Sequence, residues 1–170
     1  MIRQLFGHIT QEQINSIVNI IITQYAEYNR VINSRTFRTL FSDEYAPHNK
    51  QFSISWAISS GFPSGQNIVD GMQISCYEYS RKFTRPLLSN SRIKVLILNK
   101  TTHFKADYLN DFYELNANNF RNDQLFCYFK FSVEKKVLTS ISICLTNASG
   151  AVVQEEQLLN KHQIEMRISA

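Results

Sequence analysis

The chain changes its hydrophobic period partway along. In "HITQEQINSIVNIIITQYAEYNR", Ile14, Ile17, Val18, Ile21, Tyr25 and Tyr28 recur at helical spacing. Thr10 and Gln13 form a capping-box pattern, and Ile9 and Ile14 are placed as a hydrophobic staple. The spacing predicts a helix over Gln11–Asn29. A second helix is expected over Arg35–Tyr45, with Phe37, Leu40 and Phe41 on one side and Arg35 and Arg38 on the other, ended by Pro47.

Beyond Pro47 the period becomes two. In "QFSISWAIS", Phe52, Ile54, Trp56 and Ile58 alternate with small residues, which predicts a strand with one apolar face and room for a helix against the other. "SGFPSGQN" is a loop, with Phe62 as an exposed aromatic at its tip. A second strand is expected over Ile68–Tyr79, Gly71 marking a bulge. "RKFTRPLLSNS" reads as a connection, because Pro86 lacks a ladder donor and Ser89-Asn90-Ser91 is turn-like. "RIKVLILN" is apolar on both faces and so central in a sheet.

Helical spacing returns over residues 105–118, with Tyr108, Leu109, Phe112 and Leu115 inward. The last third reads as a meander. Leu125, Cys127, Phe129, Phe131 and Val133 share one face of a strand, and Val137, Thr139, Ile141, Ile143 and Leu145 share one face of the next, with Glu134-Lys135 as the turn. "AVVQEEQLL" is a third strand, and the tail 160–170 is an edge strand or frayed. The fold class is α+β: N-terminal helices, then a mostly antiparallel sheet of about six strands with one inserted helix. One domain is expected over 1–170, helical over 1–46 and with the sheet over 50–159.

Four segments, "FSISWAISSGFPSG", "RPLLSN", "NNF" and "CYFKF…LTSISICL", resemble an uncharacterised group of small proteins from low-GC Gram-positive bacteria and their prophages. The resemblance covers the chain from about Arg35 onward. It implies a setting and no function, and no functional residue is carried over from it.

Composition adds bounds. At 44% hydrophobic and 12% aromatic residues, 170 residues suffice for a core of their own. There is no run of about 18 apolar residues and no leader pattern, so neither a membrane partner nor secretion is expected. Three scattered cysteines (Cys76, Cys127, Cys144) without a CxxC point to a reducing, cytoplasmic setting and no thiolate metal site. With the turn at Glu134-Lys135, Cys127 opposes Ser142 and Cys144 lies diagonal to it, at about 7–8 Å between Cα atoms, too far for an unstrained disulfide.

Charge changes the picture most. The stretch 79–106 carries Arg81, Lys82, Arg85, Arg92, Lys94, Lys100 and Lys105 and no acid; the chain is +4 overall, so the other residues sum to −3. Arg92 and Lys94 are read as sharing one strand face. Interleaved with Tyr77, Tyr79, Phe83 and His103, these cations suit a polyanion: basic groups neutralise phosphates and aromatic faces stack bases. Folding back of acids such as Asp107, Asp111 and Glu114 is the bland alternative.

Other chemistry is thinner. Asp123 with Glu134-x-Lys136 matches the spacing of a Mg²⁺-dependent nuclease loosely, but Glu134 falls in a turn. Asp70 and Glu78 form an in-strand acidic pair with no lysine at the right spacing. His8, His48, His103 and His162 form no metal-ligating pattern. Phosphate-loop glycines and nucleophile elbows are absent.

The expectation is a small non-catalytic binding protein without cofactor. Its face is Arg81, Lys82, Arg85, Arg92, Lys94, Lys100, His103 and Lys105, with Phe62, Phe83, Arg35 and Arg38 beside it, and its partner is nucleic acid or an acidic protein surface. The alternatives are a protein-interaction module, acting as inhibitor or accessory factor in a bacterial or phage system, and the nuclease. A homodimer through the edge strand stays open.

Overall fold

Six strands lie side by side in chain order: β1 (Gln73–Ser80), β2 (Phe83–Ser89), β3 (Ile93–Lys100), β4 (Leu125–Glu134), β5 (Val137–Thr146) and β6 (Val152–Asn160). Three helices, α1 (Gln11–Ile32), α2 (Ile54–Ser60) and α3 (Lys161–Ser169), complete the described elements of an α+β fold. The computed structural model describes residues 5, 7–34, 54–80, 83–100, 125–146 and 152–169, with the backbone alone for 77–80, 83–84 and 100. The helices expected over Arg35–Tyr45 and 105–118 lie outside the described residues.

Every neighbouring pair is antiparallel except β3–β4, which is parallel over its whole length, from Ile93↔Leu125 to Lys100↔Ser132. These two central strands are apolar on both faces, as a parallel pair buried on both sides requires. Ile93, Val95, Ile97, Cys127, Phe129 and Phe131 point into the main core, while Leu96, Leu98, Phe126 and Tyr128 lie on the opposite face.

All three helices pack on the first of these faces. Helix α1 starts as the sequence predicts: Thr10 Oγ1 accepts from Gln13 N–H at 3.1 Å, and Gln13 Oε1 accepts from Thr10 N–H at 2.9 Å. Ile9 and Ile14 are both buried, and the helix runs to Ile32, three residues past the expected end. It buries Ile14, Ile17, Val18, Ile21, Ile22 and Tyr25, each worth about 1.5–3 kcal/mol if fully removed from water.

Six expectations are corrected. Ile54–Ser60, read as part of a strand, is helical. Ile54 and Ile58 are four apart and satisfy either period; the helix buries them with Ala57 and turns Trp56 outward, 56% exposed. At the end of α2, a Cβ on Gly61 would stand 2.5 Å from Gln24 Cγ and 2.9 Å from Ile20 Cγ2, so α1 packs closely only against glycine. Phe62, expected at a loop tip, is buried at 1% exposure.

The supposed connection 83–89 is strand β2. Its pairing with β3 covers only Leu87–Ser89, so Pro86, which has no N–H, stands just beyond that ladder. The turn at Asn90 is as expected: its Oδ1 accepts from the N–H groups of Arg92 and Ile93 at 2.8 and 2.9 Å. Strand β1 begins at Gln73, and Gly71 (φ +70°) sits in the turn before it, with Asp70, instead of in a bulge.

The β4–β5 turn is Lys135-Lys136, one residue later than expected, because Glu134 pairs with Val137. The slip alone would set Cys127 opposite Cys144; a further one-residue shift puts Cys127 opposite Leu145 and Tyr128 opposite Cys144, so the two cysteines lie on opposite faces. A bulge follows: Ser132 pairs with Ser140 and Val133 with Leu138, leaving Thr139 as the extra residue. Leu138, and not Val137 or Thr139, therefore joins Ile141 and Ile143 in the core.

The polar tail is helix α3. Gln163 N–H donates to Asn160 Oδ1 at 3.0 Å, and Asn160 N–H donates to Gln163 Oε1 at 2.9 Å, a second capping box. Its one buried residue is Ile164.

Thr10→Ala and Asn160→Ala should each lower the unfolding free energy by about 1 kcal/mol, read by urea denaturation with an unchanged slope. An unmoved midpoint for Asn160→Ala would contradict the cap of α3.

Candidate functional site

Strand direction decides which cations meet. Because β3 and β4 run the same way, one end of the sheet holds the end of β1, the start of β2, the ends of β3 and β4, the start of β5 and the end of β6. Arg81 and Lys82 lie outside the described residues. Lys100 closes β3, and Lys135 and Lys136 form the β4–β5 turn. Arg85 is the third residue of β2, and Lys161 opens α3 at the end of β6. Among the described residues five cationic positions thus fall at one end, against Glu78, Glu134 and Glu165, the last ion-paired with Lys161 at 3.7 Å.

The turn itself is costly. Both its residues have positive φ, 47° at Lys135 and 64° at Lys136. Such a turn favours Asn-Gly, since an L side chain in the left-handed region is strained. Here it carries two exposed lysines.

The sequence-predicted residues divide. Arg85 is half-buried near the basic end. Arg92 and Lys94 lie at the other end and do not share a face. Arg92 precedes β3, and its Nη1 donates to the Gly7 carbonyl at 3.0 Å, on the path into α1. Lys94 alternates with Leu96 and Leu98 on the face away from the helices and is only 8% exposed. That face also holds Lys130, ion-paired with Glu155 at 2.9 Å, and an edge-on contact between Phe126 and Tyr128 at 5.3 Å. No described helix contributes to its apolar cluster. Phe62 is excluded as a contact by its burial. His103, Lys105, Arg35, Arg38 and Asp123 lie outside the described residues, and only the backbone is described for Phe83 and Lys100.

The nuclease spacing finds no support in this geometry. Glu134 and Lys136 are exposed at a hairpin tip. Among the described residues, no three His, Cys, Asp or Glu side chains converge as metal ligands. Asp70 is in a turn and forms no in-strand pair with Glu78. The Gly/Ser loop borders a depression of about 570 Å³, lined by Gly65, Gln66, Asn67, Gly71, Met72, Gln73 and Ile74, at the opposite end of β1 and without a charged side chain.

Sequence reading missed Lys135 and Trp56. Ser55 Oγ and Asn99 Nδ2 hydrogen-bond, which docks α2 beside the last residues of β3. Two consecutive lysines after an exposed Glu were the available signal for the turn; nothing local marked Trp56 as outward.

No described helix is long and apolar enough to cross a membrane. No protein-family model matches the chain, and no curated protein or solved structure is similar enough to suggest kinship.

None of the three cysteines is in a disulfide; Cys127 and Cys144 are buried and Cys76 is exposed. Burial, with Cys144 adding to it, pushes the Cys127 thiol far up, so it stays protonated. A thiol-reactive chromogenic disulfide should therefore titrate Cys76 in the native protein and release the other two only on unfolding. Rapid native reaction of all three would contradict the packing of β4 and β5.

Proposed function

We propose that this is a binding protein without catalysis of its own, and that the basic end of its sheet holds a polyanion, nucleic acid in preference to an acidic protein surface. The supporting observation is the Lys135-Lys136 turn: two exposed lysines in a backbone conformation that favours Asn-Gly, at the end where β3 closes on Lys100. Strain concentrated at a surface position is a signature of function. The cations are spread across β2, β3 and β4, whose spacing of about 4.8 Å per strand sets them along a line. A chain of regularly spaced phosphates answers such a line better than scattered carboxylates do.

Three free cysteines fit a reducing compartment. The resemblance to bacterial and prophage proteins adds a setting to this reading. The apolar face away from the helices gives no comparable reason to prefer a protein partner, since its large residues are buried.

The test is anisotropy of labelled DNA and RNA oligonucleotides at about 50 and 200 mM salt, the range over which phosphate contacts weaken. Replacing the turn, Lys135→Asn with Lys136→Gly, relieves the strain and removes two cations. The variant should melt higher, bind more weakly, and lose about 1.4 from the salt slope on a single strand. A more stable variant with unchanged affinity and slope would overturn the assignment of this end as the contact surface.

A further inference from the structure

The β4–β5 hairpin outruns both of its neighbours. Pairing with β3 stops at Lys100↔Ser132, and pairing with β6 stops at Ser140↔Asn160. Beyond these rungs Val133 pairs with Leu138 and Glu134 with Val137, with no other described strand beside them. At about 3.3 Å per residue, the Glu134 rung stands roughly 7 Å past the end of β3, and the turn reaches further. The base of this arm is anchored, because Leu138 is buried with Ile164 of α3 in the main core. Its tip is open: Glu134, Lys135 and Lys136 are all exposed. The extra residue Thr139 lies where the arm leaves the sheet, and a bulge there strengthens the twist of the two strands.

A two-stranded ribbon with an anchored base and cations at its tip has the shape of a groove reader. Its strands stand about 4.8 Å apart. With their side chains they fit the major groove of B-form DNA, about 12 Å wide and 8.5 Å deep, and overfill the minor groove, about 6 Å wide. The major groove of A-form RNA is too narrow for side chains to read, and a single strand has no groove at all. Glu134 favours the same answer. A carboxylate is repelled along a phosphate chain, whereas the floor of the major groove offers it the cytosine amino group as a donor. We infer that the polyanion is duplex DNA in the B form, and that the β4–β5 hairpin enters its major groove tip first, with Lys135 and Lys136 on the flanking phosphates. This rests on the function proposed above.

The test is anisotropy of one labelled sequence presented as DNA duplex, RNA duplex and single strand, at about 50 mM salt. The DNA duplex should bind most tightly. Glucosylated hydroxymethylcytosine fills its major groove and leaves the phosphates as they are; that substitution should weaken binding about tenfold or more. Saturating the minor groove with netropsin should change nothing. Lys135→Gln with Lys136→Gln, which keeps the length and strain of the turn, should lower the salt slope on the DNA duplex by about 1.8, with circular dichroism unaltered. Equal affinity for the glucosylated duplex, or for the single strand, would overturn groove entry while leaving the basic end as a phosphate-binding surface. Absence of any oligonucleotide binding at about 50 mM salt would overturn both.

Discussion

The parallel pairing of β3 with β4 is the constraint on which the rest depends. It joins two antiparallel halves, β1–β2–β3 and β4–β5–β6, and it sets their relative direction. Had β4 run antiparallel to β3, the Lys135-Lys136 turn would stand at the opposite end from Lys100. Both strands are buried on two faces, so each pays for the pairing with a continuous apolar run and receives a helix-packed core on one side. The helices reinforce the same geometry: α1 buries six side chains in that core, and α2 is placed by α1 and by Asn99 of β3.

Function follows from direction more than from any single residue. The basic stretch that stands out in the sequence is split by the fold. Arg92 and Lys94 are taken up structurally, one by the Gly7 carbonyl and one by burial, while Arg85 and Lys100 stay at the end that gains Lys135, Lys136 and Lys161. Concentrating like charge destabilises a compact chain, and a left-handed lysine pair adds to that. Both are retained at one place.

Much of the frame was legible in the sequence because it is local. Helix α1 announces itself by its capping box and a stripe of buried Ile and Val, and β3 by its doubly apolar run. The failures have physical reasons. Ile54 and Ile58 fit either period, so α2 passed for a strand. Pro86 disguised β2, since it stands where one ladder stops. Helix α3 has a single buried residue and hence no periodic signal, although Asn160 and Gln163 repeat the cap of Thr10 and Gln13. The turn slipped by one residue, which shifts each partner by two and keeps the faces; the bulge at Thr139 adds one more residue and reverses the faces of β5. Of the site, the cations before β4 were visible; their union with Lys135 and Lys136 rests on a non-local parallel pairing that no local pattern encodes.

The most direct test is to follow backbone amide shifts by NMR during titration with a short DNA duplex. The account predicts changes at Ser80, Asn99, Lys100, Glu134, Lys135 and Lys136, with Asn90, Ser91 and Arg92 at the far end unmoved. Shifts concentrated at Asn90–Arg92, or confined to the depression near Gly65 and Gln73, would contradict it.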